Sequence, residues 1–451
     1  MLGPGLTSRP SGHPCGGGVP HTAVMWRNWA GNQTMRPAST EHPSSVEQVQ
    51  QVVRTASTHR LKAIGSGHSF TGIGLTDGVL VSLDRMDRVL ELDAARGRVT
   101  VQAGMVLSRL NDALAVAGLG LTNMGDVAVQ SVAGALATGT HGTGRDSGAL
   151  ATQVVGLELV LADGELLSCS ADEQPDAFAA ARVGLGALGI VTAVTLQAEP
   201  AFLLRAREEP CPLDEVLDGF EELVADNDHV EFYWFPHTST ALVKRNERTT
   251  GPAEPLSTVR RLLDDEVLGN GVFSLTCRLG AAVPRTVPPL NRLAARAVTA
   301  RTYTDAAPRV FTAPRRVRFR EMEYAVPRAE LPAAMGELRG LPERHGLRVS
   351  FPVEVRVAPG DDVPLSTAYG RSTAYVAVHV YRGTELQPYF DAVEAVMRAA
   401  GGRPHWGKLH SLTADDLRPL YPRFEDFRSV RDGLDPRRRF ANAYLDRVLG
   451  P

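Results

Sequence analysis

The sequence predicts an α+β protein of more than one domain, and three observations carry that reading. At 451 residues, with 43% hydrophobic and 22% charged residues, the chain is long enough to bury two or three separate cores. Between about Trp26 and Pro200, short runs rich in Val, Leu and Ile alternate with glycine turns and one or two helical stretches, the mixture expected of strands and helices in one domain. From about Ala201 to Gly401 the texture changes to longer charged stretches, proline-rich interruptions around Val283 to Leu290, and a second set of strands near Ser350 and Tyr375.

Taken in chain order, residues 1–20 are rich in Gly, Pro and Ser and lack the apolar core of a signal peptide, so they read as a disordered leader, with Met25 an alternative start. After Pro43, Ser44 and Glu47 make a capping-box pattern, and Val46, Val49 and Val53 follow at helical spacing. A strand ending at Ile64 comes next. Val154 to Val160 and Glu165 to Ser168 flank Asp163-Gly164, a pair that accepts positive φ and so favours a hairpin. The last fifty residues run through His405-Trp406-Gly407-Lys408 into a helical tail.

Charge and cysteine usage exclude several classes of partner. The formal net charge of −3 leaves no basic footprint for nucleic acid or an anionic membrane, which makes a small molecule the default partner. No apolar run approaches the ~20 residues of a membrane span. Cys15, Cys169, Cys211 and Cys277 lie far apart with no C-x-x-C pair, so neither a metal site nor a disulfide framework is expected and a reducing cytoplasm fits.

Four segments carry the chemistry. In Ala63-Ile64-Gly65-Ser66-Gly67-His68-Ser69-Phe70 an apolar strand end runs into two glycines and a histidine. Glycines there let backbone N–H groups approach a pyrophosphate; Gly-Ser-Gly alone reads equally well as a plain tight turn. It is not the dinucleotide fingerprint G-x-G-x-x-G, because Phe70 takes the last glycine's place, and a nicotinamide domain is disfavoured. The second segment, Ser131 to Gly144, packs hydroxyls and small residues together and is too apolar for a solvated linker, so it is expected to line an extended polar ligand. In the third, Val353-Glu354-Val355-Arg356-Val357 and Tyr375 to Tyr381 alternate at the strand period. Glu354 and Arg356 share one face, and His379 and Tyr381 another. Such faces are ordinarily solvated; if the two strands pair and line a cleft, they offer an acid, a cation, an imidazole and a phenol. In the fourth, Lys408 lies among Trp406, His405 and His410, whereas a lysine by itself is normally a surface charge.

Asn28-Trp29-Ala30-Gly31-Asn32, the Gly-Ser-Gly-His-Ser-Phe turn, Ser131 to Gly144, Glu354-Val355-Arg356 and His405 to Lys408 occur in the order seen in the aldonolactone and alditol oxidases. The chain thus resembles, from about Trp26 to its C-terminus, FAD enzymes of the vanillyl-alcohol oxidase type. The resemblance implies a two-subdomain FAD-binding domain over 26–200, an α+β cap or substrate domain over 201–401, and a C-terminal segment, 402–451, returning to the FAD domain behind the leader 1–25. It implies FAD bonded covalently through His68. Ala63, Ile64, Gly65, Ser66, Gly67 and Ser69 would wrap the pyrophosphate. Ser131, Gly134, Thr138, Gly139, Thr140 and His141 would continue along the cofactor, with the Ile190 backbone at the adenine end.

By the same resemblance Glu354, Arg356, His379 and Lys408 would be the catalytic residues. Asp126, Glu354, Arg356, Tyr381 and Lys408 would touch substrate, Asp126 reaching the cofactor as well. The task is to take the hydroxyl proton and stabilise the reduced flavin. Lys408 is expected to accept the proton if Arg356 and burial depress its pKa. Asp126 stands near where alditol oxidases carry a substrate serine, and His410 follows Lys408-Leu409. Both features favour a sugar-acid 1,4-lactone such as D-arabinono- or L-gulono-1,4-lactone over a polyol such as xylitol or sorbitol. The expected reaction passes a hydride to flavin N5, with oxygen restoring the flavin and releasing hydrogen peroxide. Gly125, beside the flavin, would leave oxygen a path; a dehydrogenase using another acceptor is the alternative.

Overall fold

The computed structural model describes residues 25–56 and 58–451, without the side chains of 265–269. Residues 1–24, and Cys15 with them, lie outside the described residues.

A small parallel sheet opens the fold, with Val79–Ser82 between Ser39–Glu41 and Leu61–Ile64. The helix Val46–Thr55 makes the crossover, burying Val49 and Val53. Its cap differs from the expected Ser44 and Glu47 pattern by one residue. Ser45 Oγ accepts from the Gln48 N–H, and the Gln48 side chain accepts from the N–H of Ser44, one residue before the cap. The crossover precedes the glycine turn rather than following it, which separates this fold from a nicotinamide-binding one.

A five-stranded antiparallel sheet lies beside it in the order Leu166–Ser170, Val154–Val160, Ile190–Gln197, Arg98–Gln102, Val89–Asp93. The expected hairpin is its edge: Leu166 pairs with Val160, and Gly164 takes φ +87° in the turn. The short helix Val132–Ala137, capped by Ser131 Oγ on the Gly134 N–H, brings the small-residue segment against the Gly65 turn. A Cβ on Gly65 would lie 2.2 Å from Ser131 Oγ, so that contact requires glycine.

The remaining sheet is antiparallel and eight-stranded, ordered Arg301–Ala306, Leu203–Pro212, Thr240–Thr249, His229–Trp234, Val353–Ala358, Thr373–Tyr381, Phe319–Pro327, Arg403–Pro404. The helices Leu331–Arg344 and Gln387–Ala399 join its core through Leu331, Met335, Leu338, Phe390, Val393 and Met397. Val353–Ala358 is buried along its whole length, so its charged side chains face protein rather than solvent. The C-terminal segment is tied to the N-terminal strands: Arg439 donates to the carbonyls of Val53, Ala56 and Ala162, and Asn442 Nδ2 to those of Gly72, Ile73 and Leu75.

Candidate active site

The Asn28–Gln33 loop builds the seat of His68. The Trp29 N–H donates to the Gly67 carbonyl at 2.9 Å. Asn28 Nδ2 bonds the Ser69 carbonyl at 3.0 Å, and Asn32 Nδ2 and Gln33 Nε2 both bond that of Phe70. The His68 ring stacks on Trp29, with centroids 5.5 Å apart at 23°. Gly67, at φ +68°, reverses the chain in a conformation that costs other residues strain. Burial and the Lys408 charge lower the His68 pKa, which keeps its imidazole neutral.

Three cavities follow one another past this turn, of about 280, 100 and 520 Å³. The first two share Ala63, Ile64, Gly65, Ser66, Ser131 and Gly134; the second and third share His68, Ser69 and Thr138. Thr140, His141 and Asp126 line the third. Glycine-walled cavities that share their lining in this way fit an extended dinucleotide. The Ile190 side chain lies in the core beneath, while its neighbours Gly189 and Val191 line the wall, and Gly139 takes the left-handed bend at φ +74°.

Antiparallel register assembles the far wall of the third cavity. Glu231 pairs with Arg356, and Arg356 with Tyr375; Tyr233 pairs with Glu354, Glu354 with Ala377, and Ala377 with Glu323; Glu321 pairs with His379. Directly paired residues project from the same face of a sheet, so these rows set acids and bases side by side, with Ala377 leaving room between Glu354 and Glu323.

Two charge clusters result. In one, Arg356 reaches Glu354, lies 3.0 Å from Glu231 and 3.5 Å from Asp126, while Arg315 Nε donates to Asp126 at 2.9 Å. Tyr233 donates to Glu354 at 2.8 Å. Burial opposes ionisation of Asp126, but Arg315 and Arg356 more than offset it and hold the carboxyl well below the usual range. In the other cluster, Lys408 Nζ lies 2.5 Å from Glu321 and 3.9 Å from Glu323, over the Phe70 ring. Burial opposes the ammonium, but Glu321 and Glu323 more than offset it and raise the Lys408 pKa. The expected depression of Lys408 by Arg356 is therefore corrected: the carboxylates at contact distance decide the sign, and the lysine is a fixed cation rather than a base.

His141, Glu323 and His405 bring their ligand atoms within 4.8 Å of one another, yet hydrogen bonds already account for the trio. His141 Nδ1 faces the Gly142 carbonyl at 2.9 Å and Nε2 faces Glu323 at 3.1 Å, while His405 Nδ1 accepts from the Gly407 N–H. Burial first, with Lys408 and His141, pushes the His405 pKa down to about 3, so it stands neutral beside Glu323.

Of the expected catalytic and substrate residues, Asp126, Arg356 and Lys408 line the main cavity. Glu354 stands behind Arg356. His379 lines an adjoining cavity of about 300 Å³ and reaches the site only through Glu321, at 3.5 Å. Tyr381 pairs with Phe319 and packs into the small aromatic core around Phe70 and Phe351, so its phenol does not join His379 on the cavity wall. Trp406 is wholly buried, its indole N–H on the Leu365 carbonyl, and orders the backbone beside Lys408. Glu321, Glu323, Glu231 and Arg315 escaped the sequence reading. Arg-Glu-Met-Glu-Tyr at 320–324 alternates at the strand period, a signal open to the same treatment as Glu354 and Arg356; Arg315 lies in a loop with no period to betray it.

The comparisons with known proteins agree with this geometry. Residues 37–170 match the FAD binding domain family and residues 194–448 the D-arabinono-1,4-lactone oxidase family. The chain is 44% identical over 429 residues to an L-gulono-1,4-lactone dehydrogenase of Mycobacterium tuberculosis, covering 95% of this chain and 99% of that one. It is 35% identical over 438 residues to the L-gulonolactone oxidase of Mus musculus, with coverage of 95% and 99%. In fold it is similar to cholesterol oxidase from B. sterolicum, at TM-score 0.80 and 19% identity over 94% of this chain and 96% of that one, which places it in the vanillyl-alcohol oxidase type of architecture. The glycine-walled cleft and the charged sheet face beyond it are thus those of an FAD-dependent oxidoreductase, and the chain belongs to the D-arabinono-1,4-lactone oxidase family.

Proposed function

We propose that the protein oxidises a sugar-acid 1,4-lactone, of the D-arabinono- or L-gulono- type, at the hydroxyl beside the ring carbonyl. The observation that carries this is a single cavity directly beyond the cofactor cleft whose walls include Arg356 and Lys408, each held as a cation by buried carboxylates. Bound FAD supplies a hydride acceptor in its isoalloxazine ring. The chain's own residues bind, orient and manage charge. Arg356, held in a fork by Glu354 and Glu231, presents its remaining edge to the lactone oxygens. Lys408 stays an ammonium against developing negative charge, at no cost in reorganisation. Glu321 and Glu323 offer carboxylate oxygens to which a substrate hydroxyl donates, and the carboxylate that accepts takes the hydroxyl proton as the hydride leaves the carbon. Relatives named for gulonolactone and arabinonolactone support the substrate class.

Oxygen is proposed as acceptor because Gly125 lines the cavity and places no side chain in it. A different acceptor is favoured by the M. tuberculosis relative's name as a dehydrogenase. Free thiols at Cys169, Cys211 and Cys277 support a reducing, cytoplasmic setting, and no helix among the described residues is long and apolar enough to cross a membrane. The test is oxygen uptake with the two lactones and xylitol, repeated with an artificial dye. Lactone turnover yielding hydrogen peroxide is expected. Turnover with dye alone would reassign the acceptor, and a preference for xylitol would reassign the substrate.

A covalent bond from His68 to FAD is proposed on the same footing. The imidazole stands where the second and third cavities meet, half buried and neutral, with its ring held by Trp29. His68→Ala is expected to fold and bind FAD, while the flavin colour moves from the acid precipitate to the supernatant. Colour retained in the precipitate would show that another side chain carries the bond.

A further inference from the structure

The helical excursion between Thr258 and Ala297 turns an apolar face outward. Its inner side is accounted for: Cys277, Gly280, Val287, Asn291 and Ala295 are buried, and Asn291 Nδ2 donates to the carbonyls of Pro236 and Val349 at 3.0 and 2.9 Å. The outer side of a helix docked this way is normally polar. Here Val272, Leu275, Leu279 and Val283 are all exposed, Leu275 to 67%. Their spacing puts them in one stripe along the helix Phe273–Ala282 and its flanks. Val259 and Leu293, exposed to 68% and 64%, extend the apolar character to the neighbouring helices.

Past Asp264, Asp265 and Glu266, charge on this segment is one-sided. Between Val267 and Thr304 the sequence holds five arginines and no Asp or Glu, in a chain whose net charge is −3. Arg278, Arg285, Arg292 and Arg296 are exposed, and none forms an ion pair among the described residues. Arg301, by contrast, is neutralised by Glu208 and Asp264.

Apolar patches of this kind on a folded protein mark an interaction surface, and the charge selects the partner. Two copies meeting through this face would bring unpaired arginines together, whereas phosphate headgroups over an acyl layer satisfy both features at once. We propose that the face formed by residues 272–297 docks on an anionic lipid bilayer, with the Val272, Leu275, Leu279 and Val283 stripe in the headgroup boundary and Arg278, Arg285, Arg292 and Arg296 on lipid phosphates. The net charge of −3 over the whole chain gives no sign of such a surface; the local segregation of charge creates it.

The test uses the full-length holoenzyme and sedimentable phosphatidylcholine vesicles with and without phosphatidylglycerol. Sedimentation with the phosphatidylglycerol vesicles, release by salt, and little binding to phosphatidylcholine alone are the expected results. Leu275→Ser with Leu279→Ser is expected to abolish it. Arg292→Gln and Arg296→Gln should each lower partitioning about fivefold. Flavin content and circular dichroism, unchanged in all variants, show that the fold is intact, and none of these readouts depends on turnover. Absence of sedimentation, or equal binding to neutral vesicles, overturns the proposal. So does a dimer in light scattering that the leucine variants disperse, which would make the face a contact between copies.

Discussion

Arg356→Met is expected to lower kcat/KM by about 10³-fold, the usual scale for removing a preorganised charge from a reacting centre. Arg356 is buried among Asp126, Glu231 and Glu354, and those carboxylates together raise its own pKa well above normal despite the cost of burial. Methionine keeps much of the volume and removes the charge, so three carboxylates lose their shared cation. Breaking a buried pair in this way costs about 3–5 kcal/mol. Chemical denaturation should therefore show a loss of stability alongside the loss of turnover. Arg356→Lys separates the two effects: a point charge should restore much of the stability while failing to restore the two-pronged geometry. Turnover within a few-fold of the parent in Arg356→Met would sink the assignment of this residue to the substrate.

Lys408→Met is expected to reduce kcat by about 10²–10³-fold, with a second signature in acid. Burial opposes ionisation of Glu321, but Lys408, then His379, lower its pKa to about 2. A depressed carboxylate contributes stability that is present above its unfolded value of about 4.3 and is lost as pH falls toward its folded value. The parent should hold this contribution at neutral pH and surrender it between about pH 4 and pH 2. With Lys408 gone the main attraction disappears, the Glu321 pKa rises, and acid unfolding followed by fluorescence should begin at higher pH. An unchanged acid profile would mean that the Lys408–Glu321 pair does not hold the site together. An unchanged kcat would mean that the ammonium does not act on the reaction.

The parts of the site legible in the sequence share one property: their meaning is local. Gly65, Gly67 and His68 follow a strand end within a few residues, and the backbone freedom they need is set by that turn. Glu354 and Arg356 lie two apart on one strand, so the pleat alone puts them on one face. Ser131 capping its own helix is likewise a matter of three residues. Where the local rule has two solutions, as with Ser44 or Ser45 at the first helix, only the structure picks the cap, because both serines stand three residues before a Glu or Gln.

The residues that were missed or misplaced depend on partners far away in sequence. Glu321 acquires its role from Lys408 and His379, and Arg315 from Asp126, 189 residues earlier. Tyr381 shares a strand face with His379, yet the sheet end at which it lies meets Phe319 and Phe351 instead of the cavity, and alternation along one strand cannot say where the cavity stops. The sign of the Lys408 shift is hidden from the sequence for a related reason: it depends on which charges come within a few ångströms, and Coulomb energy falls off too quickly for sequence order to rank them.

By itself, then, the sequence determined the α+β class, the glycine turn with its histidine, and the shared strand face of Glu354 and Arg356, which follow from steric and periodic rules that act over a few residues. The roles of these residues in oxidising a hydroxyl came from the resemblance to the aldonolactone oxidases. Tertiary structure alone decided which carboxylates neutralise Arg356 and Lys408, that Lys408 is a fixed cation, and that Glu354 and His379 stand behind the cavity wall. Those outcomes rest on strand register and burial, which bring distant residues within bonding distance in a medium where each charge must find a partner.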